Sequence, residues 1–145
     1  MEIDIEGFLK EHKIYPLSQP GWKICQVCHY IDMATAQVDG RLGELQASLG
    51  RKAKGVYVYF DSSGDCIYVG KSADLADRFK KHFQRTYRRD KSDKRGKHFK
   101  FWSGRPGDMT IKYFLIDKEV DRKVIEIMLI HLLEPAFEKI PRSRS

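Results

Sequence analysis

One stretch of sixteen residues constrains the chain more than any other: Gly55-Val-Tyr-Val-Tyr-Phe-Asp-Ser-Ser-Gly-Asp-Cys-Ile-Tyr-Val-Gly70. Two runs of β-branched and aromatic residues flank a polar turn that contains glycine, the pattern of a β-hairpin. A loop of Asp61 to Gly64 makes Phe60 face Asp65 and pairs Tyr57 with Tyr68. Side chains alternate along a strand, so Tyr57, Tyr59, Cys66 and Tyr68 are expected on one face. Val56, Val58, Phe60, Ile67 and Val69 then share the other. One face is plainly apolar. The other sets phenol hydroxyls beside a Gly-Lys-Ser exit, and folding alone does not demand that.

The rest of the chain is read around this hairpin. At 145 residues, 41% hydrophobic, it has room for one domain with its own core. No run of about 18 apolar residues offers a transmembrane helix. The acidic start, Met-Glu-Ile-Asp-Ile-Glu, lacks the basic-then-apolar order of a signal peptide. Three cysteines, an odd and small number, fit a reduced cytoplasmic protein better than a disulfide scaffold.

The net charge of +7 is unevenly placed. Residues 1–50 hold four Lys/Arg against seven Asp/Glu, a balance of −3. Residues 78–105 hold twelve Lys/Arg against two Asp, a balance of +10. So dense a basic segment suits a polyanion, most often nucleic acid. A solvated basic loop is the plainer alternative.

Residues 2–13 read as a short amphipathic helix, broken by Tyr15-Pro-Leu-Ser-Gln-Pro-Gly21. From Ile24 an apolar residue recurs at alternating steps of four and three as far as Leu49, which predicts one long helix or two joined near Gly40. Residues 1–50 are therefore expected to form an N-terminal helical extension. A basic linker, residues 51–54, leads into the hairpin. Ser72 is the expected N-cap of a helix over 73–87, with Leu75, Phe79 and Phe83 buried. Residues 88–108 read as a long loop, in which Phe99, Phe101 and Trp102 among lysines suggest partial order or base stacking. Residues 110–116 predict a third strand. Asp117 is the expected cap of a helix over 118–133, and a basic tail closes the chain at 139–145. The order β-β-α-β-α predicts the α+β class, with a small, mostly antiparallel three-stranded sheet flanked by helices.

Two helices carry residues that packing does not explain. Val124-Ile-Glu-Ile-Met-Leu-Ile-His-Leu-Leu133 is apolar nearly all round, interrupted only by Glu126 and His131. A carboxylate there needs a cation, either a divalent metal or an arginine, unless it pairs at the helix edge. In the preceding helix, Arg78 and His82 lie at i and i+4, on one face. An ion pair of Arg78 with Asp74, and packing of His82 beside Phe83, are the structural alternatives.

Here the pattern resembles a known family. Gly55-Val56-Tyr57, ten residues, then Tyr68-Val69-Gly70 resembles the signature of the GIY-YIG nuclease superfamily. Gly70-Lys71-Ser72 with Leu75-Ala-Asp-Arg78 resembles its next block, and His82 falls where many members carry a histidine. Glu126, Leu129-Ile130 and Pro135-Ala-Phe137 resemble the closing block. Residues 51–138 are accordingly read as a GIY-YIG-type domain. The resemblance implies metal-dependent hydrolysis of DNA phosphodiester bonds. In it Tyr57 is the general base, directly or through water, and Tyr68 supports the site by hydrogen bonding. Arg78 stabilises phosphate charge, and Glu126 holds one divalent metal, Mg2+ or Mn2+. Lys71 and Arg78 would help a tyrosine whose ordinary pKa near 10 makes it a poor base alone. His82 would act as proton acceptor or phosphate ligand. Lys81, Arg85, Arg88, Arg89, Lys94, Arg95, Lys97 and Lys100 would grip the DNA. Glu138 stands where many members carry asparagine, and it adds charge in place of hydrogen-bond donors. A homodimer is one way for a single-site chain to cut both strands. A nucleic-acid-binding module that does not cleave is the alternative function.

Cys25-Gln-Val-Cys28-His29 formally matches a haem-attachment motif and half a zinc site. No export signal precedes it and no second pair of suitable spacing follows, so neither haem nor zinc is expected. Cys28 falls on the apolar stripe, and ordinary packing is the reading.

Overall fold

The computed structural model describes residues 22–29, 40–87, 96–103 and 105–140. The expected helix over 2–13, residues 141–145 of the closing tail, and Arg88, Arg89, Lys94 and Arg95 lie outside the described residues. The elements are β1 (Lys23–His29), α1 (Arg41–Leu49), β2 (Gly55–Phe60), β3 (Cys66–Ser72), α2 (Leu75–Tyr87), α3 (Lys97–Ser103), β4 (Gly107–Leu115), α4 (Glu119–Leu133) and a 3-10 turn (Ala136–Lys139). The α+β class holds. The sheet has four strands rather than three, in the order β1-β4-β2-β3, every pair antiparallel.

The fourth strand corrects the N-terminal reading. Residues 23–29 form β1, not a helix, and pair with β4 from Lys23 opposite Tyr113 to His29 opposite Gly107. Val27 and His29 are buried while Ile24 is 61% exposed. Burial at every second residue is a strand period, and it overrides the four-three spacing. Among the described residues the stripe is helical over α1, where Leu42, Leu45 and Leu49 pack on the core. Two further expectations shift. Residues 97–103 are helical rather than loop. The helix after Ser72 begins at Leu75, where Asp74 Oδ1 accepts the Asp77 amide at 3.2 Å and Ser72 Oγ accepts the Asp74 amide.

The hairpin register differs as well. Asp61 Oδ1 accepts the amides of Ser63 and Asp65, both at 3.0 Å, which draws Asp65 into the turn. A bulge at Phe60 then leaves Ile67 unpaired. Tyr57 therefore lies opposite Gly70, and Tyr59 opposite Tyr68. The bulge also exchanges two faces: Ile67 joins the tyrosines, and Cys66 packs with Phe60 on the other side.

Each sheet face has its own cover. Val56, Val58 and Val69 pack against Ile125 and Leu129 of α4. Tyr57, Tyr59, Ile67, Tyr68, Val27, Met109, Ile111 and Tyr113 pack against Leu75 and Phe79 of α2 and against Phe101 and Trp102 of α3. Burying those two aromatics contributes about 2–3 kcal/mol each and removes them from base stacking, which explains why α3 is a helix. No described helix is long and apolar enough to cross a membrane.

Candidate active site

The site forms where the tyrosine face of the hairpin meets α2 and α3, with Glu126, midway along α4, beside Lys71 of β3. Gly70 makes the meeting close. A Cβ on it would lie 2.5 Å from both Cζ and Oη of Tyr57, so the phenol rests on a backbone that only glycine leaves open. Tyr57 is 0% exposed and its hydroxyl lies 2.7 Å from His82 Nε2; His82 is also 0% exposed. Tyr68 is 7% exposed, and its hydroxyl lies 3.1 Å from Nε2 of the half-buried His98. The Tyr57 and Tyr68 rings stack at 5.9 Å with an interplanar angle of 20°.

Hydrogen-bond direction in this cluster follows from one residue. Arginine only donates. Arg85 Nη1 is 3.4 Å from His82 Nδ1, a long contact in which Nδ1 must accept. Burial holds the His82 pKa well below the ordinary imidazole value, so the ring is neutral and carries its single proton on Nε2. Nε2–H therefore donates to Tyr57. The Tyr57 hydroxyl in turn acts on Tyr68 as a hydrogen-bond partner that favours ionisation of Tyr68. Desolvation raises both phenols above 10, Tyr57 strongly. Arg78 opposes that rise in both.

Arg78 is where the predicted residues converge. Its charge acts on Tyr57, Tyr68, His82 and Glu126, which come from β2, β3, α2 and α4. Asp74, the alternative partner, is used in the turn that starts α2. Burial raises the Glu126 pKa, and the neighbouring Glu138 raises it further. Lys71 and Arg78 pull it back, and the Lys71 backbone amide hydrogen-bonds the carboxylate. Glu138, exposed on the 3-10 turn, thus bears on Glu126 although its residue type departs from the expected asparagine.

These residues suit a hard divalent cation. No group of three or more His, Cys, Asp or Glu gathers among the described residues. One half-buried carboxylate with a second nearby is a donor set that suits magnesium in phosphate chemistry, where water and substrate phosphate complete the shell.

Of the expected DNA contacts, Lys81 is exposed and pairs with Asp77 at 3.1 Å. Arg85 turns partly inward to His82. Lys97 Nζ sits 4.2 Å from the Phe137 ring centroid, and Lys100 is exposed one turn further along α3. Cys25 and Cys28, three apart on a strand, face opposite sides of the sheet; Cys25 Sγ lies 3.6 Å from the Ile111 carbonyl oxygen. His29 is buried, with Nδ1 3.1 Å from Thr86 Oγ1 on α2.

Sequence reasoning missed His98. The signal was present: His98, Phe101 and Trp102 recur at i, i+3 and i+4, the spacing of a helix face.

A hairpin bearing two stacked motif tyrosines, with a helix arginine and a glutamate from a later helix near them, defines a GIY-YIG-type domain. The description of the UvrC-like GIY-YIG domain matches residues 53–139, and the chain belongs to that family. UvrABC system protein C of Flavobacterium psychrophilum is 29% identical over 99 residues, 68% of this chain and 15% of that protein. The same-named protein of Wolinella succinogenes is 33% identical over 88 residues, 61% of this chain and 14% of that protein. This chain thus spans about one seventh of the length of these relatives. The N-terminal GIY-YIG endonuclease domain of UvrC from Thermotoga maritima, bound to its catalytic divalent cation magnesium, aligns at 18% identity and a TM-score of 0.44, over 66% of this chain and 93% of that domain.

Proposed function

We propose that this domain is a DNA endonuclease that hydrolyses phosphodiester bonds with one divalent cation, magnesium or manganese. The observation that carries the reading is Tyr57, its hydroxyl held 2.7 Å from His82 and its ring stacked on Tyr68, with the Arg78 charge near enough to act on these three and on Glu126. Packing alone gives no reason to gather those groups. Phosphoryl transfer needs them, because charge grows on the phosphate oxygens and on the attacking water.

In this reading Glu126 holds the cation, oriented by the Lys71 amide. The bound cation supplies charge stabilisation and a more acidic water. Arg78 neutralises the phosphate, and the Lys71 ammonium adds to the field. Tyr57 is the base, its oxygen held by the Nε2–H of His82. A second reading exchanges the tyrosines. Tyr68 is the more exposed residue and has the smaller rise in pKa. Lys81, Arg85, Lys97 and Lys100 would track the DNA backbone, with Arg88, Arg89, Lys94 and Arg95 extending the basic run. Two copies, or two successive nicks, would cut both strands.

The test is incubation with duplex, branched and single-stranded DNA plus magnesium or manganese, for the wild type, Glu126→Ala, Tyr57→Phe and Tyr68→Phe. Cleavage lost in Glu126→Ala supports the site. Whichever tyrosine variant loses more activity identifies the base. Cleavage that persists in Glu126→Ala and in both tyrosine variants would refute the assignment. Salt-sensitive binding with no cleavage would favour the binding module.

A further inference from the structure

We propose that His98 is a positioning residue of this site: it orients the Tyr68 hydroxyl and receives its proton, so that α3 is part of the catalytic apparatus. The inference rests on the nuclease reading above. The donor chain runs one way. Arg85 donates to His82 and His82 to Tyr57, whose ring stacks on that of Tyr68. The Tyr68 proton is left with one acceptor among these contacts, His98 Nε2 at 3.1 Å. His98 thus stands next to Tyr68 as its hydrogen-bond partner from α3.

Its surroundings suit that place. His82 is fully buried, whereas His98 is half-buried at the rim, where a proton can pass on to solvent. The His98 ring packs on Phe137 at 4.7 Å and lies parallel to His82, 6.4 Å away at 9°. Phe101 and Trp102, buried one turn further along, anchor α3 so that the imidazole holds its position. The step balances. The Tyr68 O–H bond breaks, an N–H bond forms at His98 Nε2, and the phenolate accepts a proton from water.

Single-turnover cleavage by the wild type, His98→Phe and His98→Gln provides the test. Phenylalanine keeps the packing on Phe137 and removes the acceptor. Glutamine returns a hydrogen-bonding group near the Nε2 position. The expected result is a rate about 100-fold lower in His98→Phe with DNA affinity unchanged, and partial recovery in His98→Gln. A wild-type rate in His98→Phe, or weaker DNA affinity at an unchanged rate, overturns the proposal. The imidazole nitrogen-15 shift of His98 is read in parallel in the wild type and Tyr68→Phe. A shift on removing the hydroxyl is expected, and no shift overturns the dyad. An inactive wild type whose His98 resonance does shift would sink the nuclease reading and leave the dyad standing.

Discussion

The Tyr57 hydroxyl and His82 Nε2 lie 2.7 Å apart, and both rings are sealed from solvent. A buried donor and acceptor held together this way are costly to separate. Tyr57→Phe leaves the His82 nitrogen without its partner, which costs about 1–3 kcal/mol. The variant is expected to lower the urea midpoint of unfolding at pH 7 while keeping the far-ultraviolet spectrum of the wild type. An unchanged midpoint would show that the bond contributes nothing to stability.

Gly70→Ala tests the close packing beneath that bond. The new methyl meets Tyr57 Cζ and Oη at 2.5 Å and Tyr68 Cε1 at 2.8 Å. Overpacking of this kind costs about 1–3 kcal/mol. It must also displace one phenol. Thermal unfolding is expected to shift downward, and cleavage is expected to fall further than the stability loss explains. A variant with wild-type midpoint and rate would mean the strands part without cost.

His29 predicts a pH dependence of stability. Burial lowers its pKa to about 3, against about 6.5 in the unfolded chain. The unfolded state binds the proton first, so the stability from neutral, buried His29 is full above pH 6.5. It declines by about 1.4 kcal/mol per pH unit as the pH falls toward 3. His82 is shifted in the same direction and adds to the slope. Glu126, raised, acts in the opposite sense. Denaturant titrations from pH 7 to pH 5 are expected to show the loss, and His29→Phe is expected to flatten it by its own share. An equal slope in the variant would contradict the shift.

Glu126→Gln separates metal binding from folding. The carboxylate is raised by desolvation and by Glu138, so removing its charge relieves strain in the metal-free protein. Manganese affinity, read by the paramagnetic spectrum of the free ion, is expected to drop at least tenfold, with the unfolding midpoint equal or higher. Undiminished manganese affinity would remove Glu126 from the metal site.

Lys81, Lys97 and Lys100 predict the salt dependence of DNA binding. Each phosphate contact contributes about −0.9 to the slope of log affinity against log salt. A triple alanine variant is expected to flatten that slope by two to three units. An unaltered slope would place the DNA elsewhere.

Much of the site was legible because its signals are local. The hairpin announces itself by alternation and turn residues, the Arg78–His82 face by a spacing of four, and Glu126 by its isolation in an apolar helix. What misled was also local. The apolar steps from Ile24 fit a helix, but Val27 and His29 gain more by covering the tyrosine face beside β4. The Tyr57–Tyr68 pairing failed because Asp61 draws Asp65 into the turn and a bulge follows. His98 went unseen because a seven-residue helix in a basic run is stabilised by burial of Phe101 and Trp102, not by its own propensity.

By itself, then, the sequence determined which chemical groups this protein owns and which stretches carry them: two motif tyrosines on a hairpin, an arginine and histidine on one helix face, and a glutamate in a late apolar helix. Only the tertiary structure decided which of them touch. It set Tyr57 on His82 and Tyr68 on His98, and brought the Arg78 charge within electrostatic reach of Tyr57, Tyr68, His82 and Glu126. The physical reason is range. Alternation and helical spacing act over a few residues. Contacts across 25 and 30 residues depend on a bulge, a bare glycine and a helix seated by two buried aromatics.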